Sequence, residues 1–343
     1  MTGIASERAV AKPGAPATFT PNVVGLLAVA ALAFIPPLTG DQYVLTVGIS
    51  AALFAVIAMG FNLVYGYTGL LCFAQVSFLG IGAYAAAIFV TRFGWSFWLA
   101  APVGALFSTA FGLIVAYSSL RLSRHSFGIA TLVASLLCLI VARDWVSVTR
   151  GPMGIPGLTP PQLSLGGQAI VFDRPDTFYW LALAYAVVAL LLMWRLIHSR
   201  IGRAFMAIRQ NEPLAQSQGI SPLRYKLLST GVSAYLTGIA GALLVFQLTI
   251  VDPSILDFYY TETMLIMVVI GGAGSFWGVL FAAVVFSMLP DLLRFSQDLR
   301  MVLYGALLIG AMIYFPKGVA GLFRNRQIDA WRLRLKAADK GKR

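Results

Sequence analysis

Few residues of this chain have the type and spacing needed to make or break bonds. His125 and His198, the two histidines, stand far apart, and neither has the companion acid of a zinc-binding H-E-x-x-H helix. Cys72 and Cys138 lie in separate apolar runs at no metal-ligand spacing and read as packing residues. Ser135 and Ser233 are placed where an intramembrane hydrolase would need a nucleophile, yet neither has a His or Lys in view as a helical partner to act as base. There is no G-x-x-x-x-G-K-[ST] phosphate loop, and GGAGSFWG at 271–278 lacks the lysine that such a loop requires. Arg143, Asp144 and Glu262 fall near the ends of apolar runs, where a mid-membrane proton relay would not be built. These absences point away from an enzyme, a metal centre or any cofactor.

The informative polar chemistry is of another kind, a basic segment between two apolar runs. Arg200 to Lys226 reads RIGRAFMAIRQNEPLAQSQGISPLRYK, and its signals bound a short helix. Asn211 suits the N-cap, Glu212 favours the positive end of the helix dipole, and Pro213 is tolerated in the first turn. Gly219 supplies a left-handed stop and Pro222 prevents resumption. Arg195, Arg200, Arg203, Arg209, Arg224 and Lys226 surround that helix against the single acid Glu212, the bias of a cytoplasmic loop.

The rest of the chain must hold that segment at a membrane. Of its 343 residues 59% are hydrophobic and 11% charged, with mean hydropathy +0.82, which a soluble domain of this length does not reconcile with a wet surface. Apolar runs of about 20 residues recur, each long enough to cross a hydrocarbon layer as helix. They exclude a barrel of short alternating strands. The net charge of +12 is concentrated in the 198–226 loop, the Arg121 to Arg124 turn and the C-terminal tail. This is the positive-inside pattern, and it implies no nucleic-acid partner.

The fold expected is all-α, a polytopic membrane protein of about 8–10 transmembrane helices. Residues 1–20 form a disordered cytoplasmic lead, 21–316 the transmembrane domain with its cytoplasmic loop at 198–226, and 317–343 a basic cytoplasmic tail. The first span, about Asn22 to Leu38, has no clear cleavage site. Both termini are then cytoplasmic, and Thr149 to Thr177 and Asp252 to Glu262 face outward. Two stretches are broken by glycine, GYTGLLCFAQVSF from Gly66 to Phe78 and GGAGSFWG from Gly271 to Gly278. Broken or re-entrant segments in two halves are the pattern of an internal repeat around a midplane pathway. Gly80, Gly82, Ala83, Ala85 and Ala86, and again Gly231, Ala234, Gly238, Gly241 and Ala242, are small residues suited to close helix packing.

Four segments, GFNLVYGYTGLLCFAQVSFLGIGAY, GRAFMAIRQNEPLAQSQGISPLRYKLL, VVIGGAGSFWGVLFAA and LYGALLIGAMIYFPKGVAGLF, together resemble permeases of branched-chain amino-acid ABC importers, specifically the longer of the two permease types. The resemblance runs from about Val44 to Phe323. It implies a heterodimer with a second permease, two cytoplasmic ATP-binding subunits and an external solute-binding protein, in a bacterial inner membrane. It further implies that Glu212, Ala215, Gly219 and Ile220, as E-x-x-A-x-x-x-G-I, dock into the ATPase, with Asn211 and Pro213 bounding the docking helix. Gly66, Gly69, Gly271, Gly272 and Gly274 become candidate pathway or gate elements with Asn62 and Gln75 as polar lining, or else positions of tight helix packing. The family also includes permeases for urea, amides and aromatic or other organic acids, and these residues do not discriminate among them. A stand-alone secondary transporter is the competing class.

Overall fold

The computed structural model describes residues 36–37, 41–121, 124–165, 168–292 and 310. Asp41 opens the first long helix by accepting a hydrogen bond from the Tyr43 amide at 2.9 Å. That helix, α1 (Gln42–Asn62), runs on through a π-turn at Leu63–Tyr67. It is followed by α2 (Gln75–Phe93), α3 (Phe97–Ser119), α4 (Arg124–Asp144), the short α5 (Val146–Thr149) and α6 (Pro175–His198). Next come α7 (Arg200–Gln210), α8 (Glu212–Ser217), α9 (Pro222–Leu248), α10 (Phe258–Gly271) and α11 (Phe276–Leu292).

Six helices among the described residues are long and apolar enough to cross a membrane, and α10 and α11 are shorter apolar helices. With 14 residues, α10 extends about 21 Å, short of a hydrocarbon layer of roughly 30 Å. The all-α multi-pass architecture is therefore as expected, and it describes a membrane protein. The expected first span, the final span at about Met301 to Phe315, the turn with Arg294 and Arg300, the N-terminal lead and the basic tail lie outside the described residues.

The two glycine breaks differ in form. Helices α10 and α11 pack on each other as a hairpin across Gly272–Ser275. Helices α1 and α2 instead diverge after the first break, α1 packing on α6 and α11, and α2 on α3 and α9. The first break is thus a turn between two helices of spanning length, where a broken or re-entrant segment is expected from the sequence alone.

Among the described residues, helices α2, α3 and α9 pack closely together, and small residues make it possible. A Cβ added at Gly82 would come within 2.4 Å of the Gly238 backbone, and one at Gly241 within 2.2 Å of the Leu79 carbonyl. In lipid, where apolar surface alone does not drive helices together, this backbone approach supplies the dispersion contacts. Ser108 Oγ bolts the three helices together, its one proton shared between Phe78 O at 2.8 Å and Ala234 O at 3.1 Å. Cys72 is buried in this packing, Cys138 is half-buried, and both are free thiols. Helices α4 and α6 present residues such as Leu136, Leu137, Val188 and Leu192 outward, as lipid-facing helices do.

At one end of the bundle the Gly/Pro-rich loop is more ordered than its sequence suggests. Its strand β1 (Ile155–Pro156) pairs antiparallel with β4 (Ile250–Val251), and β2 (Gln162–Leu165) with β3 (Gln168–Val171). Arg143 Nη2 meets Asp257 Oδ1 at 3.2 Å beside that pairing.

Candidate functional site

The segment from Ser199 to Ile220 folds at the other end of the bundle as two short helices with fixed ends. Ser199 Oγ caps α7 by accepting from the Ile201 amide at 3.1 Å. The join between α6 and α7 is so close that a Cβ at Gly202 would lie 1.8 Å from the Ile197 carbonyl. Asn211 ends α7 and caps α8, its Oδ1 accepting from the Leu214 amide at 3.1 Å, and Pro213 sits in the first turn. At the other end of α8, Ile220 N donates to Ala215 O at 3.1 Å and Gly219 N to Gln216 O at 2.9 Å. That is the paired Schellman closure, and Gly219 holds its left-handed φ of +79° with open space around it. Conformation alone therefore demands glycine at this position.

Glu212 and Lys226 join this unit to α9. Lys226 Nζ donates to Glu212 Oε1 at 2.7 Å, with side-chain exposures of 11% and 33%. The carboxylate thus carries an internal ion pair in the first turn of α8, where the helix dipole also favours it.

Helix α7 plugs into the first glycine break. Its buried face is Gly202, Ala204, Phe205 and Ile208. Phe205 packs with Leu63 and Tyr67 of the π-turn, and Tyr225 closes the cluster from α9. In the last turn of α7, Arg209 Nη1 donates to Gly66 O in the first break and to Ala273 O, at 3.2 Å, in the second.

Asn62 fastens the same two breaks from within. Its Oδ1 accepts from Gly274 N at 2.9 Å, and its Nδ2 donates to Ser275 O at 3.1 Å. A Cβ on Gly66 would lie 1.9 Å from Asn62 Oδ1 and 2.4 Å from Gly274 N, so the two turns touch through bare backbone. Gly69 packs under the stem of Arg209, and Gly272 and Gly274 adopt positive φ to form the second turn. Gly271 belongs to the α10–α11 crossing, where an added Cβ would lie 2.5 Å from Val279 Cα.

Gln75 stands apart from this node. Its Nε2 donates to Thr237 Oγ1 at 2.7 Å and its Oε1 accepts from Ser233 Oγ at 3.1 Å, joining α2 to α9. Asn62 and Gln75 are both fully buried, so in this conformation they bond to protein and line no open channel.

The structure therefore brings Asn62, Gly66, Gly69, Gly272 and Gly274 to one place and sets Arg209 over them, while Gln75 and Gly271 serve neighbouring helix contacts. Asn211, Glu212, Pro213, Ala215, Gly219 and Ile220 form one continuous capped unit. Sequence reasoning counted Arg209 among six basic residues without separating it from them, and it did not mark Phe205 or Ser108. The one signal for Arg209 was its place in the last turn of an amphipathic helix with Phe205 and Ile208 on the buried side.

Residues 43–312 match the family described as branched-chain amino acid transport system / permease component. The high-affinity branched-chain amino acid transport system permease protein LivM of Salmonella typhimurium is 30% identical over 291 residues, covering 79% of this chain and 68% of the relative. LivM of Escherichia coli K12 is 29% identical over 318 residues, 87% of this chain and 75% of the relative. The shorter LivH of the same organism is 26% identical over 283 residues, 78% of this chain and 91% of the relative. No solved structure matches the chain. With its multi-pass helical bundle and a match that spans most of its length, the chain belongs to the permease-component family of branched-chain amino acid transport systems.

Proposed function

We propose that this chain is the transmembrane permease subunit of an ATP-driven importer that moves branched-chain amino acids inward across a bacterial plasma membrane. Family membership and the LivM relatives support the solute class. The observation that carries the coupling half of the reading is the pair of Arg209 hydrogen bonds to the two glycine turns.

On this reading the end bearing α7 and α8 faces the cytoplasm, in line with its basic residues, and both termini lie on that side. Of two ATP-binding subunits one docks on α8 through Asn211 to Ile220, a second permease completes a heterodimer, and an external solute-binding protein delivers the solute at the strand-bearing end. Helix α8 is suited to a lever because it is closed at both ends and tied to α9 by Glu212–Lys226. Force applied to it reaches α7, then Arg209 and Phe205, and so the turns at Gly66–Gly69 and Gly271–Gly274. These turns, with Asn62 between them, form the cytoplasmic gate, and Gln75 fastens the neighbouring helices α2 and α9. The gate is closed while Arg209 bridges the two carbonyls, and moving α7 withdraws the guanidinium. ATP-driven closure of the partners can bias this two-state element only through contacts that differ between its states, and the Arg209 bridge is such a contact.

The test is uptake by the reconstituted complex with Arg209→Ala and with Glu212→Arg. Each variant is expected to remain inserted and monodisperse while ATP-driven leucine uptake falls at least about tenfold, from the loss of at least one charge-assisted contact. Uptake at the unsubstituted rate in both variants would overturn the lever. Gradient-driven flux through this chain alone would instead identify a secondary transporter.

A further inference from the structure

Beside the lever lies a cavity of about 410 Å³, walled by the last turn of α3, by α8 and by the first turn of α9. Its volume falls within the roughly 300–1,000 Å³ range of small-molecule sites. Its lining is chemically mixed. Arg121, Glu212 and Lys226 supply two cations and one anion, and Leu120, Pro222 and Leu223 supply apolar wall. The Arg121 guanidinium is held in place over the Tyr117 ring, 5.1 Å from its centroid, and donates to the Tyr117 hydroxyl at 3.0 Å.

We infer that this cavity binds a free α-amino acid with an apolar side chain. A phosphate or simple carboxylate would meet Glu212, and an amine without a carboxylate would meet Arg121 and Lys226. An uncharged apolar molecule would strip water from Arg121 and from the Glu212–Lys226 pair with no return. A zwitterion satisfies the set, its carboxylate facing Arg121 and Lys226, its ammonium facing Glu212, and its side chain lying against Leu120, Pro222 and Leu223. This inference rests on the proposed function for one point, that the solute accumulating on this side is such an amino acid. The consequence is regulatory. Glu212 begins α8 and Lys226 stands one turn into α9, so a molecule bridging them to Arg121 holds the lever against α3 and slows transport as product accumulates.

The test is equilibrium dialysis of radiolabelled L-leucine against the full chain in phosphatidylcholine nanodiscs. One leucine is expected per chain, with leucinol and isocaproate, each lacking one charge, competing at least about tenfold more weakly. Arg121→Gln is expected to weaken binding about tenfold and Leu223→Trp, which narrows the cavity, to weaken it at least as much. Leu248→Trp, on an exposed position at the far end of α9, serves as the control and is expected to change nothing. Leucine binding that is absent from the unsubstituted chain, or unchanged in both cavity variants, or matched by leucinol and isocaproate, overturns the inference. So does loss of leucine binding when phosphatidylethanolamine replaces phosphatidylcholine, because the zwitterionic occupant would then be a lipid headgroup. A complex that transports no leucine while its permease still binds leucine at Arg121 would count against the proposed function and leave this site standing.

Discussion

The two ends of the bundle are fastened by different means. At the end bearing α7, two glycine turns are joined by the buried Asn62 side chain, which meets Gly274 across 212 residues of sequence, and bridged by Arg209. At the other end, a two-residue strand pair and the Arg143–Asp257 pair do the joining, the latter with side-chain exposures of 53% and 34%. Buried amide-to-backbone bonds are costly to break because each released group is left without water, whereas an exposed ion pair exchanges its partner for solvent at almost no cost. On the proposed function, the difference suits an end that switches between discrete arrangements and an end that yields to a visiting protein.

Substitutions can break this contrast in order of expected size. Gly66→Ala should have the largest effect, because the new methyl has no free space between Asn62 and Gly274. The turns must part, at about 3 kcal/mol, the upper range for overpacking. Thermal unfolding of the detergent-solubilised protein should show a clear loss, whereas an unshifted midpoint would mean that the turns do not touch. Asn62→Leu keeps the branched shape but strands the Gly274 amide and the Ser275 carbonyl, and about 2 kcal/mol should be lost. The same unfolding assay reads it, and a neutral outcome would show that water reaches this node.

The smallest effect should come from the opposite end, where Arg143→Ala should cost less than about 1 kcal/mol. The Asp257 carboxyl there is raised from its ordinary 3.8 chiefly by burial, with Arg143 pulling it down and Asp252 pushing it up. A raised acid keeps its proton in the folded state at a pH where the unfolded chain has released it. The stabilisation from this group is therefore full below the ordinary value and is lost as pH rises through the folded one. Asp257→Asn should flatten the stability profile just above pH 3.8, and removing Arg143 should carry the slope to higher pH. A profile that is unchanged in both variants would mean that Asp257 is solvated like an ordinary surface acid.

Much of the architecture was legible in the residues. Apolar runs of spanning length announce themselves because lipid tolerates no unpaired backbone, and α8 was bounded by Asn211, Pro213 and Gly219 through purely local hydrogen bonding. The closeness of α2, α3 and α9 was visible in the small residues at Gly82, Gly238 and Gly241. Less could be read of the polar residues inside the bundle. Asn62 and Gln75 looked alike as polar interruptions, yet Asn62 joins the two breaks while Gln75 joins α2 to α9. The glycine breaks also looked alike, yet one separates its helices and the other folds them into a hairpin.

By itself, then, the sequence determined what is local: which runs enter the membrane, where the chain turns, and that a short rigid helix stands among basic residues after α6. Capping, dipole and hydropathy act over a few residues, and so they can be read in order along the chain. Only the tertiary structure decided that Arg209 reaches Gly66 across 143 residues of sequence and meets the second turn there. A guanidinium carries no mark of which carbonyl it will find, and its partner is fixed when helices packed through Phe205, Leu63 and Tyr67 bring the two glycine turns beneath it.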